Sequence, residues 1–575
     1  MNRLIFTVLA VIVFPLAIHA TGFKAVVIPV EFRDVAFSDK AANVDAKVAR
    51  ARKYFNDQFY PQRTFTFDIL PVVSLPREIS WYGGNSTSRK DERIDQLVRD
   101  ACAALQADLS VYDNDNDGKI DNICIIAAGP SEADGGGADY IWPQQAYLSE
   151  RSGTFGRNGK TVDSYTVCAE FSGVGTFCHE FAHTFGLQDL YDTDGNSSGG
   201  ESKGLWGSIS LMDKGLKNDS GNTPPNFTAI ELEQLGLGNP VEKVHGYHIL
   251  RPISTSKEYL RIDSDTENEY FLLECRDNSG WDAYIGGRGL IIYHIDKSAN
   301  NSWYSASLKR SLAAYERWEL NQVNCRQDHQ CAYILEAKPG ATSVSQVFYP
   351  QEGHNILGSE SDPAFRFWSG KTADISIDGI TLRADGSVVF SVMTPITTRV
   401  SYFFQDAAIF SWSTDAAMDV TDCEASWYPE GQKTIANTKT QKLKRQEDGY
   451  MSITVEGLEP ATTYVLTAKI TCSDGTIYTK TESFTTKSRQ KGTHPFIYLN
   501  LNVRDTDGSF SEGGKLPLRV FNATDATAVQ WYFNEKYITP EADGFWYIPG
   551  SGTLKATVWY KDGTKDVIIK EITVK

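Results

Sequence analysis

Apolar and polar positions change their period several times along this chain. Lys24–Phe32 is a nearly continuous apolar run of strand length and predicts a buried strand. Residues 40–60 place Ala, Val and Phe on one helical face, and Phe65–Val73 returns to strand character. Between Arg89 and Leu109 the residues Ile94, Leu97, Val98, Ala101 and Leu105 recur at helical spacing, which predicts a second helix. Ile120–Ala128 is again a short apolar run. Alternating helices and apolar strands of this kind predict an α/β sandwich. From about residue 240 to 395 the chain is strand-rich, as in Glu269–Glu274 and Gly289–His294. No linker separates that part from what precedes it, so it reads as a β-rich continuation of the same unit.

After Pro395 short strands alternate with turn residues, and two all-β sandwich modules are expected. The first spans 397–487, with strands around Trp412 and Trp427. Its Leu458-x-Pro460-x-Thr462-x-Tyr464 pattern resembles the tyrosine corner of fibronectin type III domains, which bends a chain between two sheets. A polar, basic stretch begins at Ser488. The last module, 493–575, is immunoglobulin-like by length and alternation, with Trp531, Tyr532 and Trp559 as core candidates.

A length of 575 residues exceeds what one core supports and suggests three or four domains. The formal charge of -17 argues against nucleic acid as a partner, because a phosphate-binding surface is basic. Arg3, the apolar stretch Leu4–Ile18 and Ala20 have the order of a signal peptide over residues 1–20. The mature chain is therefore expected to be exported, secreted or held at the cell surface, with no membrane-spanning segment. Of nine cysteines, Cys325 and Cys331 are near enough in sequence to close a small loop. Cys423 and Cys472 fall in one module and are a second candidate pair. For most of the others a buried free thiol is the competing reading, and connectivity cannot be read from sequence.

The chemistry concentrates at His179-Glu180-x-x-His183-x-x-Gly186-x-x-Asp189. On a helix His179 and His183 lie one turn apart on the same face, the spacing that lets two imidazoles bind one Zn²⁺. Glu180 then stands beside the metal to act on its bound water. Gly186 permits the left-handed turn that brings Asp189 back as third ligand, leaving a fourth position for water and substrate. Asp192 and Asp194 are rivals to Asp189, although only Asp189 has the motif spacing. Cys178 points to another helix face and is not counted as a ligand.

A second cation signal is Asp113-x-Asp115-x-Asp117-Gly118-Lys119-x-Asp121. Carboxylates at alternate positions converge on a hard cation, Gly118 allows the sharp turn and Lys119 would offer its carbonyl. Cys124 stands where an EF-hand has its bidentate Glu, so a structural calcium loop outside an EF-hand is expected.

Over about residues 24–395 the chain resembles the immune inhibitor A family of secreted zinc metallopeptidases, in the metzincin group. The likeness rests on the extended motif His179–Asp189, the opening strand Val27–Phe32, the Asp113–Asp121 loop, Gly289–Asp296 and Gly204–Asp213. It implies a metzincin-like peptidase fold and zinc-dependent cleavage of proteins. His179, His183 and Asp189 would hold the metal, Glu180 would be the base, and Met212, one of five methionines, would form the turn beneath the site. Two features depart from the family. The first strand starts so soon after residue 20 that no room for a propeptide is expected, and no tyrosine follows Met212 closely. Two other readings remain: a zinc hydrolase of cell-wall peptide or amide bonds, and an inactive surface adhesin that binds through its C-terminal sandwiches.

Overall fold

The computed structural model describes residues 21–87, 89–351, 353–487, 495–499, 509–523 and 526–575. The expected signal peptide (1–20) and the basic stretch at 488–494 lie outside the described residues. The chain divides into two units. One is residues 1–356 with 378–391, and the other is 357–377 with 392–575.

In the first unit, β1 (Thr21–Glu31), α1 (Ala46–Phe59), β2 (Arg63–Ile69), α2 (Ile94–Ala104), β3 (Ile123–Ala127), β4 (Gln144–Tyr147), β5 (Ser164–Ala169) and α3 (Val174–Ala182) follow in order. The strands make a sheet in the order β2-β1-β3-β5-β4, and the short strand Val73–Ser74 also pairs with β1. All the pairings are parallel except that of the edge strand β4 with β5. Side chains alternate across the sheet. Phe23, Ala25, Val27, Cys124, Ile126 and Cys168 face a core built with α1 and α3. Val26, Ile28, Val30, Ile123, Ile125, Tyr165 and Val167 face the other core, against α2. This is the mixed α/β sandwich that the alternating pattern predicts.

Two elements are shorter than their apolar periodicity suggests. α2 begins at Ile94, after a loop, and ends where Leu105 turns extended. β2 stops at Ile69, two residues before Pro71, which has no N–H to give a ladder.

Further on, α4 (Ala229–Leu235) is followed by β6 (Glu258–Asp263), β7 (Glu269–Arg276), β8 (Gly289–Asp296), α5 (Ala314–Glu319) and β9 (Ala332–Ile334). β6 to β9 neighbour one another in a five-stranded sheet whose other edge is Asn239–Pro240. β7 and β8 are buried along their whole length. Tyr270, Leu272, Ile291, Tyr293, Ile295 and Trp318 belong to the same apolar core as α1 and α3. The β-rich half and the motif helix thus share one core, and the second half can reach the site.

The second unit holds two β-structures. β10 (Thr397–Phe403), β11 (Ala407–Ser413), β12 (Val420–Pro429), β13 (Lys439–Lys442), β14 (Tyr450–Glu456), β15 (Thr463–Cys472) and β16 (Ile477–Thr485) form sheets of three (β10-β11-β14) and four (β13-β12-β15-β16) strands. Trp412 and Trp427 lie in the core between them. The Glu459 N–H donates to the Tyr464 hydroxyl at 2.9 Å, five residues on. The last module pairs β17 (Ala526–Phe533), β18 (Lys536–Ile538), β19 (Gly552–Tyr560) and β20 (Lys565–Ile572) in the order β18-β17-β19-β20. Trp531 is in its core beside Phe533 and Trp546. Tyr532 is only half-buried and Trp559 is 37% exposed, correcting their expected core positions. Neighbours in a strand face opposite sides, so Trp531 and Tyr532 cannot both point inward.

No disulfide joins any of the nine cysteines, so neither candidate pair is bridged. Cys423 stands opposite Ile470, with Cys472 two residues further along the partner strand. Such diagonal neighbours are about 7–8 Å apart, beyond the reach of a disulfide. Cys325 Sγ meets Thr193 Oγ1 at 3.1 Å instead. No described helix is long and apolar enough to cross a membrane.

Candidate metal centre

α3 carries its apolar residues Val174, Phe177, Cys178, Phe181 and Ala182 into the core, so the opposite face is left for chemistry. Phe181 packs edge-on against Phe55, with ring centres 5.1 Å apart. The helix backbone is approached closely from outside: a Cβ on Gly175 would lie 2.1 Å from the Leu216 carbonyl. A short 3₁₀ turn, His183–Phe185, ends at Gly186, whose φ of 87° reverses the chain. Leu187 and Asp189 then fold back toward the helix.

His179 and His183 present their rings 4.9 Å apart at 85°. His179 Nδ1 donates to the Leu211 carbonyl at 2.9 Å and His183 Nδ1 to the Leu187 carbonyl at 2.7 Å. With their protons on Nδ1, both rings turn an Nε2 lone pair inward. Asp189 Oδ1 lies 3.1 Å from His179 Nε2 and 3.4 Å from His183 Nε2. That oxygen is buried and makes no hydrogen bond. Ligand atoms of His179, Glu180 and His183 also lie within 4.8 Å of one another. Inward lone pairs on two nitrogens and a buried carboxylate oxygen are the donor set of a divalent transition ion, and zinc fits it.

The same point draws positive charge. Burial disfavours charge on His179, yet Asp189 and Glu180 beside it raise the ring to about 9. Burial would also protonate Asp189, but the two imidazoles hold its carboxyl well below the ordinary range. The site therefore attracts positive charge strongly. Burial pushes the Glu180 carboxyl up, against the pull of His179 and His183, and the Gln145 N–H of the edge strand β4 reaches it.

Met212 is fully buried. Its turn lies against the site through its backbone: the Leu211 carbonyl takes the His179 proton, and the Met212 carbonyl accepts from Leu190 N at 2.8 Å. Asp192 and Asp194 point elsewhere. Asp192 accepts from the Asp194 and Ser202 amides, and Asp194 from the Ser198 hydroxyl. Cys178 is buried in the core.

In the 113–121 loop, Asp113, Asp115 and Asp117 converge. Gly118 has the left-handed φ of 90° that the sharp turn needs. Asp113 Oδ2 accepts from Lys160 Nζ at 2.6 Å and Gly118 N at 3.1 Å, while its Oδ1 is buried without a partner. Asp121 is not brought into that group. Its Oδ2 accepts from the Asn114 backbone and side-chain amides at 2.7 and 2.9 Å. The Lys119 N–H donates to Asp117 Oδ1 at 2.7 Å.

Several residues around the centre have no motif to announce them. Glu231, at N3 of the α4 capping box, accepts from Ser210 Oγ at 2.6 Å and Met212 N at 3.3 Å, bracing the Met212 turn. Tyr191 stacks on the His179 ring at 6.3 Å. Burial, then the charges of Asp189 and Glu180, push its phenol well above its usual value. It lies two residues after Asp189 and is not among the site residues expected from the motif. Asn321, from the β-rich half, contacts Asp189.

Helix α3, which with its closing turn carries His179, Glu180 and His183, thus packs on a mostly parallel sheet. Residues 23–236 match the family model described as the immune inhibitor A peptidase M6 catalytic domain. The likeness to the immune inhibitor A family is thus shown over that stretch. The chain is 29% identical over 217 residues to immune inhibitor A of Bacillus thuringiensis subsp. alesti, covering 32% of this chain and 31% of that protein. It is 29% identical over 221 residues to the pre-pro-metalloprotease PrtV of Vibrio cholerae serotype O1 (strain M66-2), covering 32% of this chain and 23% of that protein. The chain therefore spans less than a third of the length of these relatives. A solved human fibronectin type III domain is 16% identical, covering 17% of this chain and 77% of that one, at a TM-score of 0.13. That overlap is too slight to bear on fold or function.

Proposed function

We propose that this chain is an exported zinc-dependent endopeptidase that cleaves proteins. The observation that carries the reading is the convergence of His179 Nε2, His183 Nε2 and Asp189 Oδ1 beside Glu180, within a stretch that matches a peptidase catalytic domain. In this reading His179, His183 and Asp189 hold the metal, Glu180 is the general base and the Met212 turn supports the site, as in metzincins. Zinc in such a site polarises a carbonyl and acidifies water. Glu180, kept ionised by the imidazoles yet made more basic by burial, takes the proton of the attacking water and returns it to the leaving amine. The edge strand β4 pairs only with β5 among the described strands. Its other side offers backbone groups to an extended peptide, which supports a polypeptide substrate.

We also propose that Asp113, Asp115 and Asp117 hold a structural calcium ion, supported by the buried unpartnered Asp113 Oδ1. The Tyr464 corner supports a fibronectin type III-like reading of 397–487, and four antiparallel strands support an immunoglobulin-like reading of 493–575. These modules would serve docking to substrate or surface. Export rests on the composition of residues 1–20.

The test is Glu180→Gln in the full chain, with casein and peptidoglycan as substrates. Parent enzyme should cleave casein in a chelator-sensitive way, and the variant should keep zinc while losing about 10²–10⁴-fold in kcat. Turnover at the parent rate would remove Glu180 from the mechanism. Cleavage of peptidoglycan alone would move the enzyme to the cell-wall class, and chelator-insensitive binding without cleavage would revive the adhesin.

A further inference from the structure

We infer that Asn321 is a positioning residue for the metal centre, so that the β-rich half beyond residue 236 is a working part of the site. This rests on the zinc reading above. Asp189 follows a glycine turn and sits in no helix or strand, so regular secondary structure does not fix its side chain. Asn321 fixes it from 132 residues away. Its Oδ1 accepts the Asp189 N–H at 2.6 Å and its Nδ2 donates to Asp189 Oδ2 at 2.7 Å. The amide orientation follows from chemistry, since an N–H faces one end and a carboxylate the other. With Oδ2 engaged, Oδ1 is the oxygen left to face the two imidazoles.

The grip is itself supported. Asn321 has a left-handed backbone, φ 54°, which Asn adopts more readily than most residues. Its carbonyl accepts from Thr193 Oγ1 at 3.0 Å. Three residues on, Asn324 Nδ2 donates to the Leu190 carbonyl at 2.8 Å, and Asn324 Oδ1 accepts from Ala332 N at the start of β9 at 3.0 Å. The turn follows α5, where Trp318 Nε1 donates to the Asp296 carbonyl of β8 at 2.9 Å. Asp189 and Leu190 are thus held by β8, α5 and β9 on one side. The Met212 carbonyl holds Leu190 on the other. A hydrogen-bonded partner of this kind sets the orientation of a ligating carboxylate.

Two full-length variants test the role, with zinc affinity read by chelator competition and stability by thermal unfolding of the metal-free protein. Asn321→Gly keeps the left-handed turn without strain, and Asn321→Asp keeps its size but sets an oxygen against Asp189 Oδ2. Both should weaken zinc binding about 10–100-fold, Asn321→Asp the more, while the metal-free proteins stay folded and lose only the modest thermal stability that the missing hydrogen bonds carry. In an Asp189→Ala background Asn321→Gly should cause no further loss. Zinc binding as tight as the parent's in both variants overturns the inference. So does an equal loss in the Asp189→Ala background. A parent that binds zinc but cleaves nothing would sink the peptidase reading and leave the role of Asn321 standing. A parent that binds no zinc sinks both.

Discussion

His179 and His183 owe their chemistry to two backbone carbonyls. Leu211 and Leu187 take the Nδ1 protons, and only then do both Nε2 atoms face one point as bases. The direction a candidate ligand atom faces is therefore set by what binds its other side, and Asp113 follows the same rule. Lys160 occupies one oxygen of Asp113 and leaves the other buried without a partner. Calcium should stabilise the parent, by about 2.7 kcal/mol once free calcium is a hundredfold above Kd. Asp113→Asn should abolish that gain, and Lys160→Ala should tighten the site by removing a competing charge. Thermal unfolding in chelator and in calcium measures it, and a parent indifferent to calcium would remove the ion from the loop.

At the scale of elements, the edge strand β4 is where local structure meets the site, because Gln145 reaches Glu180. The entry to β4 is held by Asp91, whose carboxylate accepts from Trp142 N at 3.1 Å and Gln144 Nε2 at 2.6 Å. Burial pushes the Asp91 carboxyl up to about 7. An unfolded Asp titrates near 3.9, so between about pH 4 and 7 the folded state binds the extra proton. The stability it contributes is complete below pH 4 and is lost as pH rises through 7. Each pKa unit of that difference is worth about 1.4 kcal/mol. Asp91→Asn should flatten the fall in unfolding free energy between about pH 4 and 7. A slope unchanged from the parent would show that Asp91 ionises normally.

At the scale of the molecule, the first unit has a continuous apolar core that joins the matched catalytic stretch to the β-rich half. The second unit carries separate cores for its two modules, with Tyr498 and Phe521 of the later one packed near Ala407 and Ile409 of the earlier. In the earlier module Tyr464 ties the segment between β14 and β15 back on itself. Tyr464→Phe removes one hydrogen bond and should destabilise the sandwich by about 0.5–1.5 kcal/mol. Proteolysis rates on 397–487 would rise while peptidase turnover stays at the parent rate. Loss of turnover in parallel would mean that this module contributes directly to catalysis.

What local sequence determined was whatever depends on spacing along the chain. The i, i+4 histidines with Glu180 between them, the Gly186 turn, the Asp113–Asp117 loop and the Leu458–Tyr464 corner are each complete within about a dozen residues, so helix and turn geometry is enough to read them. Alternation in the strands was equally legible, and Trp531 against Tyr532 shows how strictly period two applies. Tertiary structure alone decided what converges from afar. Among Asp189, Asp192 and Asp194, it is Asp189 that meets the imidazoles. Its anchor is Asn321, 132 residues on, and the Met212 turn is braced by Glu231. Asp121, inside the motif, is instead taken by Asn114. Hydrogen bonds and burial act through space, and no period along the chain encodes a partner that only the packing of β8, α5 and β9 brings within reach.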